Sequence, residues 1–332
     1  MRPNVVALTI GDPNGIGPEI AVKAAALCAD ANDATSVVLV GDDHVIRHYA
    51  AAFGGGRPLL AFEEQDPNRH TLRYHAVDAL PHDAFQPGKG CADGGRATVA
   101  YVEAALGLMA QGQARSIVAC PHSETNVNAA GIKFSGYPSL LARLKKVPED
   151  EVFLMLVGAG MRIVHVTLHE RLHGALDRIT PTLIERTIRT TIEALRNLGI
   201  DRPKLGVFGI NPHAGEGGLF GDDDDRIVRP LLERLKAEGI DIEGPVGADL
   251  MLGLGGFDAF VAMYHDQGHI PVKLLAGRNS AAMSIGAGLM FSSVGHGSAF
   301  DIAGKGVADP GPVLRCIRLL AGASEFKESV TS

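Results

Sequence analysis

Tryptophan is absent from the 332 residues, aromatic side chains make up only 5% of them, and cysteine occurs four times. Cys28, Cys91, Cys120 and Cys316 stand far apart and without C-x-x-C spacing, so neither a disulfide framework nor a cysteine metal site is expected. Basic residues are outnumbered, 31 Lys and Arg against 38 Asp and Glu, and the formal charge is −7. With no basic stripe, the chain lacks the surface that binds nucleic acid by neutralising phosphates. No run of 18 apolar residues occurs, and the opening MRPNVVALTIGDPNG has no apolar stretch of signal-peptide length. Membrane spanning and secretion are therefore not expected, and a cytoplasmic enzyme with small-molecule partners is.

What is present is apolar surface and glycine: 46% hydrophobic residues, 21% charged residues and 41 glycines. That is ample for buried cores, and the length suits about two domains at ~100–200 residues each. Short apolar runs alternate with helical patterns, as in 5–10 into 18–31, 116–120 into 124–130 and 205–210 into 227–237. Further strands are expected at 36–40, 152–157, 162–167, 259–263 and 281–285, and helices at 95–110, 139–144, 180–198 and 312–321. Strand alternating with helix implies an α/β fold on a mostly parallel sheet. Residues 57–90, rich in Pro, Asp and His, read as loops and a peripheral insertion, and the tail after Ala323 is expected to fray. The acidic run 222–225 reads as a solvent-facing helix cap.

Three histidines fall just beyond apolar strands: His169 after RIVHVTL, His213 after KLGVFGINP and His265 after AFVAMY. In an open α/β sheet that edge binds ligands. One such histidine would ordinarily be a satisfied core or surface residue; three in the same topological place point to a shared catalytic metal with open positions. Asp266, next to His265, and Asp249, in GPVGADLM, are placed to hold an imidazole in orientation. Lys273 lies eight residues beyond His265, either to meet an anionic substrate and transfer a proton or as a solvated surface cation. The loop HGSAFDIAGKGVADP, residues 296–310, has small residues that admit a close ligand and aspartates suited to ribose hydroxyls. GDPNGIGPEI links a strand to a helix and reads as a tight βα turn, with an anion nest as the alternative.

GDPNGIGPEI, GINPHAGEGG, MYHDQG and HGSAFDIAGKGVADP, in that order, resemble the metal-dependent 4-hydroxythreonine-4-phosphate dehydrogenase family. The last segment is also similar to the adenosine-binding loop of isopropylmalate dehydrogenases. The resemblance implies two α/β/α domains with a cleft between them, the first from 1–130 plus 280–332 and the second from 131–279. It implies a homodimer whose active site is shared between subunits. It also implies a divalent metal on His169, His213 and His265, one of them from the neighbouring subunit, with zinc ahead of Fe, Co, Mn or Mg. NAD would lie on His296, Gly297, Ser298, Asp301 and Asp309, with Asp301 favouring NAD over NADP.

The positions that hold phosphate in that family differ here. Glu124 replaces a lysine, Tyr137-Pro138 replaces His-Thr, and Ala282 and Phe291 stand where an asparagine and an arginine fall. CPHSET, FSGYPSLLA, EVFLMLVGAG, RIVHVTLHE and HDQGHIPVKLLA instead resemble the terephthalate cis-dihydrodiol dehydrogenase branch. The implied reaction is NAD-dependent oxidation of 1,2-dihydroxy-3,5-cyclohexadiene-1,4-dicarboxylate with loss of carbon dioxide, giving 3,4-dihydroxybenzoate. The alternative is a 4-hydroxythreonine-4-phosphate or related hydroxy-acid phosphate dehydrogenase. On the first reading Lys273, Asp249 and Asp266 are the catalytic candidates. Tyr137, Ser139, His122 and Lys273 are then expected to meet substrate carboxylates, and Phe291 to pack on the ring.

Overall fold

The computed structural model describes residues 4–31, 35–62 and 70–322. The tail after Ala323 and part of the 57–90 stretch lie outside them. The strands are β1 (Asn4–Thr9), β2 (Thr35–Gly41), β3 (Leu59–Ala61), β4 (Leu72–Ala76), β5 (Ser116–Ala119), β6 (Phe153–Gly158), β7 (Met161–His165), β8 (Leu205–Phe208), β9 (Ile242–Val246), β10 (Ala259–Ala262), β11 (Ala281–Gly286) and β12 (Leu289–Val294). The helices are α1 (Gly17–Asp30), α2 (Asp43–Phe53), α3 (Ala92–Ala110), α4 (Glu124–Ala129), α5 (Tyr137–Lys145), α6 (Leu172–Arg178), α7 (Pro181–Asn197), α8 (Arg229–Ala237), α9 (Ala248–Leu254), α10 (His265–Ala276) and α11 (Gly311–Ala321). None of these helices is long and apolar enough to cross a membrane. The described residues divide into two compact units, one from residues up to 140 together with 290–322, the other from 141–289.

The first unit orders its strands β3-β4-β2-β1-β5-β12, all parallel. Its central strands are apolar on both faces, and Val6, Ala7 and Leu8 have no exposed surface, as a sheet covered by helices on both sides requires. Glycine permits close helix contact: a Cβ on Gly95 of α3 would lie 2.2 Å from the Asn126 backbone of α4. Pro18 opens α1 in its first turn, and the buried Glu19 beside it pairs with Lys23 at 2.7 Å. Glu19 accepts from the Gly306 and Ala308 amides at 3.1 and 3.0 Å, and Lys23 donates to their carbonyls, so α1 pins the 296–310 loop.

The 57–90 stretch is not a peripheral insertion throughout. β3 and β4 pair in parallel as the edge of this sheet, and LRYHA alternates buried and half-exposed positions, so Arg73 and His75 mask its strand character.

The second unit orders its strands β11-β6-β7-β10-β8-β9 and is mixed. β7, β10, β8 and β9 run parallel, while β6 pairs antiparallel with β11 and with β7. The departure from an all-parallel sheet comes from the tight turn at Ala159-Gly160, whose φ values of 50° and 74° are those of a two-residue hairpin. Its core gathers Leu156, Ile163, Phe208, Met251, Phe260 and Val272.

Candidate active site

β7 and β10 are parallel neighbours, so the chain leaves both at the same edge of the sheet. The Val166 amide donates to the Ala262 carbonyl at 2.9 Å, and Thr167 Oγ1 donates to the Met263 carbonyl at 2.8 Å. These bonds hold the two strand ends together and bring out His169 beside His265. Gln267 locks the β10–α10 turn: its Oε1 accepts from the Met263 amide at 2.8 Å, and its Nε2 donates to the Gly209 carbonyl after β8 at 2.7 Å. His269, one helical turn beyond His265, stacks on it with ring centroids 3.6 Å apart.

His169, His265 and His269 each offer a nitrogen, and these lie within 4.8 Å of one another. Residues Leu168, His169, Arg171, Leu172, Tyr264 and His265 help line an adjoining cavity of about 610 Å³. Asp266 Oδ1 lies 2.7 Å from His265 Nδ1 and orients that ring, leaving Nε2 for a ligand. Burial and the neighbouring imidazoles push His269 down to about 4, and burial pushes the enclosed His165 to about 3, so both rings are neutral. Three imidazoles, one of them oriented by a carboxylate, are the donor set of a zinc, cobalt or iron site, and the residues fit a divalent ion.

His213 is not in this group. It stands in a loop after β8 where His213, Ala214 and Glu216 all have positive φ, 52°, 51° and 45°. Such strain in non-glycine residues persists only where the surrounding structure holds the segment in place. Asp224 holds the loop, accepting from the Ile210 and Asn211 amides at 2.8 and 2.9 Å. The acidic run is therefore corrected: Asp224 has no exposed surface and braces the His213 loop, whereas Asp223 and Asp225 pair with Arg226 and Arg229. Asp249 belongs with His213, since a Cβ on Gly247 between them would lie 2.9 Å from Asp249 Oδ1 and 3.6 Å from His213 Cα. Lys273 shares the α10 face of His265 and His269 but donates to Ser280 Oγ at 3.0 Å.

In the first unit, the 296–310 loop packs on the GDPNGIG turn. The Ile16 amide donates to the Ser298 carbonyl at 2.8 Å, and a Cβ on Gly15 would lie 2.7 Å from Ser298 Cβ. Asn14 bonds Ala84 and Gln86, and Asp12 accepts from Asn126 and Asn14, so the turn's polar groups serve the protein itself. Burial pushes the Asp12 carboxyl above its ordinary value against those two bonds. Gly297, Asp301 and Asp309 are exposed, His296 is half-buried, and Ser298 lies buried in the wall behind them. Ala299, at φ 38°, marks a second strained turn.

The residues expected to meet the ring belong to the first unit, and the histidine cluster to the second. Phe291 has no exposed surface and packs against Tyr137 at 4.6 Å between ring centroids. His122 and Phe134 complete that aromatic cluster, and Ser139 donates to the Gly136 carbonyl at 3.1 Å. Burial lowers His122 to about 4, whereas an unfolded histidine titrates at about 6.5. A neutral ring favoured by the fold is fully stabilising above pH 6.5, and that stability is lost as pH falls from 6.5 through 4. The two values differ enough to remove about 3 kcal/mol. His122→Phe is expected to lose less stability between pH 6.5 and 4 than the native chain, read from urea midpoints. Identical pH profiles for the two would refute the assignment.

Sequence reasoning missed His269, His165 and Gln267, all near segments it had singled out. The spacing HDQGH, four residues on one helical face, was the available signal for His269.

Residues 33–320 match the family described as pyridoxal phosphate biosynthetic protein PdxA. The 1,2-dihydroxy-3,5-cyclohexadiene-1,4-dicarboxylate dehydrogenase of Comamonas sp is 46% identical over 315 residues, covering 95% of this chain and 96% of that one. The crystal structure of a terephthalate 1,2-cis-dihydrodiol dehydrogenase from Burkholderia xenovorans LB400 is 51% identical, with a TM-score of 0.79 over 96% of this chain and 97% of that one. A 4-hydroxythreonine-4-phosphate dehydrogenase from Burkholderia phymatum is 36% identical, with a TM-score of 0.81 over the same shares. The fold is thus common to diol and phosphate enzymes, and the histidine-bearing strand ends sit on it. The chain belongs to the PdxA family and is an oxidoreductase of the dehydrogenase class.

Proposed function

We propose that this dehydrogenase oxidises terephthalate cis-dihydrodiol with NAD and releases carbon dioxide and 3,4-dihydroxybenzoate. The observation that carries the reading is Phe291, which the sequence resemblance aligns with the phosphate enzymes' arginine and which lies wholly buried against Tyr137. An apolar ring there supplies no cation for a phosphate. The identity of 46% to the Comamonas diol dehydrogenase supports the same reading.

The histidine cluster binds and orients the diol and its neighbouring carboxylate, with Asp266 fixing His265. A divalent ion held there supplies Lewis acidity, lowering the pKa of a hydroxyl and polarising a ketone oxygen. The 296–310 loop, pinned by Glu19 and Lys23, would hold a nicotinamide cofactor, which supplies a hydride acceptor for oxidation of the carbinol. The resulting ketone is beta to the ring carboxylate. The carbon–carbon bond to that carboxylate breaks, carbon dioxide leaves, and the electron pair passes toward the ketone oxygen as the ring becomes aromatic. Lys273, on the same face of α10, meets the anionic substrate and returns a proton.

The protein works as a homodimer on this reading. Leu219 and Phe220 beside His213, and Ile270, Leu274 and Leu275 on α10, are large exposed apolar side chains. A second copy covers them and brings His213 into the ligand set.

The test offers the metal-replete protein terephthalate cis-dihydrodiol or 4-hydroxythreonine 4-phosphate, with NAD. NADH, carbon dioxide and 3,4-dihydroxybenzoate are expected from the diol alone. Turnover of the phosphate alone would reject the proposal.

A further inference from the structure

His165 closes β7 and has no exposed surface. Its Nδ1 lies 3.1 Å from the Leu154 carbonyl on β6, a group that only accepts, so Nδ1 carries the proton and donates. The neutral ring then has a bare Nε2. That nitrogen lies 3.1 Å from His269 Nδ1, which is also 3.2 Å from the His265 carbonyl oxygen. Both neighbours are acceptors, so His269 carries its proton on Nδ1 and keeps its lone pair on Nε2. The chain of bonds runs from a fixed backbone carbonyl through two imidazoles.

Gly268 makes the arrangement possible. A Cβ there would lie 2.4 Å from His165 Nε2 and 2.8 Å from Ile163 Cγ2, so only glycine lets α10 lie this close to β7. The buried histidine and the glycine above it are two halves of one contact.

We propose that His165 is a positioning residue that sets the tautomer of His269, so that His269 offers Nε2 as a nitrogen donor beside His169 and His265. His269 thereby adds a ligand for a divalent cation beyond the three histidines implied by the family resemblance. The inference rests on the divalent-ion reading of the cluster, but its tautomer component stands apart from that reading. A hydrophobic residue in place of His165 would fill the space and leave the His265 carbonyl, at 3.2 Å, as the single acceptor holding the proton on His269 Nδ1, so the Nε2–H form gains population. An imidazole protonated on Nε2 has no lone pair there for an ion.

Proton–nitrogen correlation spectra of the metal-free, histidine-labelled native protein read the tautomer directly, with His269→Gln assigning the signal. The expected result is Nδ1–H on His269; Nε2–H would overturn the proposal, whatever becomes of any variant. In parallel, Co²⁺ alone is titrated against a competing chromophoric chelator. His165→Leu is expected to weaken Co²⁺ binding about 10–100-fold. His165→Gln, whose amide both donates to Leu154 and accepts from His269, is expected to retain most of the affinity. Equal affinity in His165→Leu and the native protein would overturn the positioning role. Nδ1–H on His269 in a native protein that does not bind Co²⁺ would instead reject the divalent-ion reading and the ligand role of His269, leaving only the tautomer assignment.

Discussion

His265→Ala is expected to lower kcat/KM for the dihydrodiol by about a thousandfold, since Lewis acidity contributes several kcal/mol and each ~1.4 kcal/mol is tenfold. The residue is singled out by position. It begins α10, is oriented by Asp266 at 2.7 Å and stacks on His269, so its loss removes a nitrogen donor and the packing surface of a second. Asp266→Asn keeps the ring and weakens only its orientation, and is expected to fall between the native enzyme and His265→Ala. Initial rates of NADH formation at saturating and limiting diol separate kcat from KM. Activity of His265→Ala within tenfold of native would remove the histidine cluster from the chemistry.

Gly95→Ala is expected to destabilise the chain by at least about 3 kcal/mol, a large part of the ~5–15 kcal/mol that folded domains possess. The added carbon would stand 2.2 Å from the carbonyl carbon and oxygen of Asn126 and 2.5 Å from the Val127 nitrogen. These are backbone atoms of α4, so no side chain can rotate aside, and α3 must separate from α4. Gly107 in the same helix supplies the contrast, because nothing lies within 4 Å of its added Cβ. Gly107→Ala is expected to gain up to about 1 kcal/mol from helix propensity alone. Urea midpoints measure both, and equal midpoints for Gly95→Ala and the native chain would show that the contact yields.

Much of this arrangement was legible in the sequence because its signals are local. Apolar runs such as VVALT and AFVA mark buried strands, and a histidine just beyond a parallel strand lies at the ligand-binding edge, which is how His169 and His265 were found. β3 was missed because it is only three residues long, and β4 because Arg73 and His75 interrupt its apolar pattern. The antiparallel β6–β7 pair was missed because a two-residue turn leaves a faint mark in a glycine-rich chain. His165 lies inside RIVHVTL, where a lone polar residue in an apolar strand says nothing of its partner 104 residues away. Its meaning appears only when α10 is laid across it. The buried Phe291 likewise packs on Tyr137, which no spacing rule connects to it.

The pinning of residues 306 and 308 by Glu19 and Lys23 joins positions 283 to 289 apart in the chain. β12 likewise pairs with β5, and α11 lies against β1 and β5, so the first unit takes its closing pieces from the far end of the polypeptide. A ribosome making this protein delivers the whole 141–289 segment before it delivers the strand and helix that finish the unit begun at the N-terminus. Until then the buried Glu19 carboxylate lacks the amides of Gly306 and Ala308, and one side of β5 has no neighbour from its own unit. The order of synthesis therefore makes the nascent N-terminal half the part most in need of protection from premature pairing.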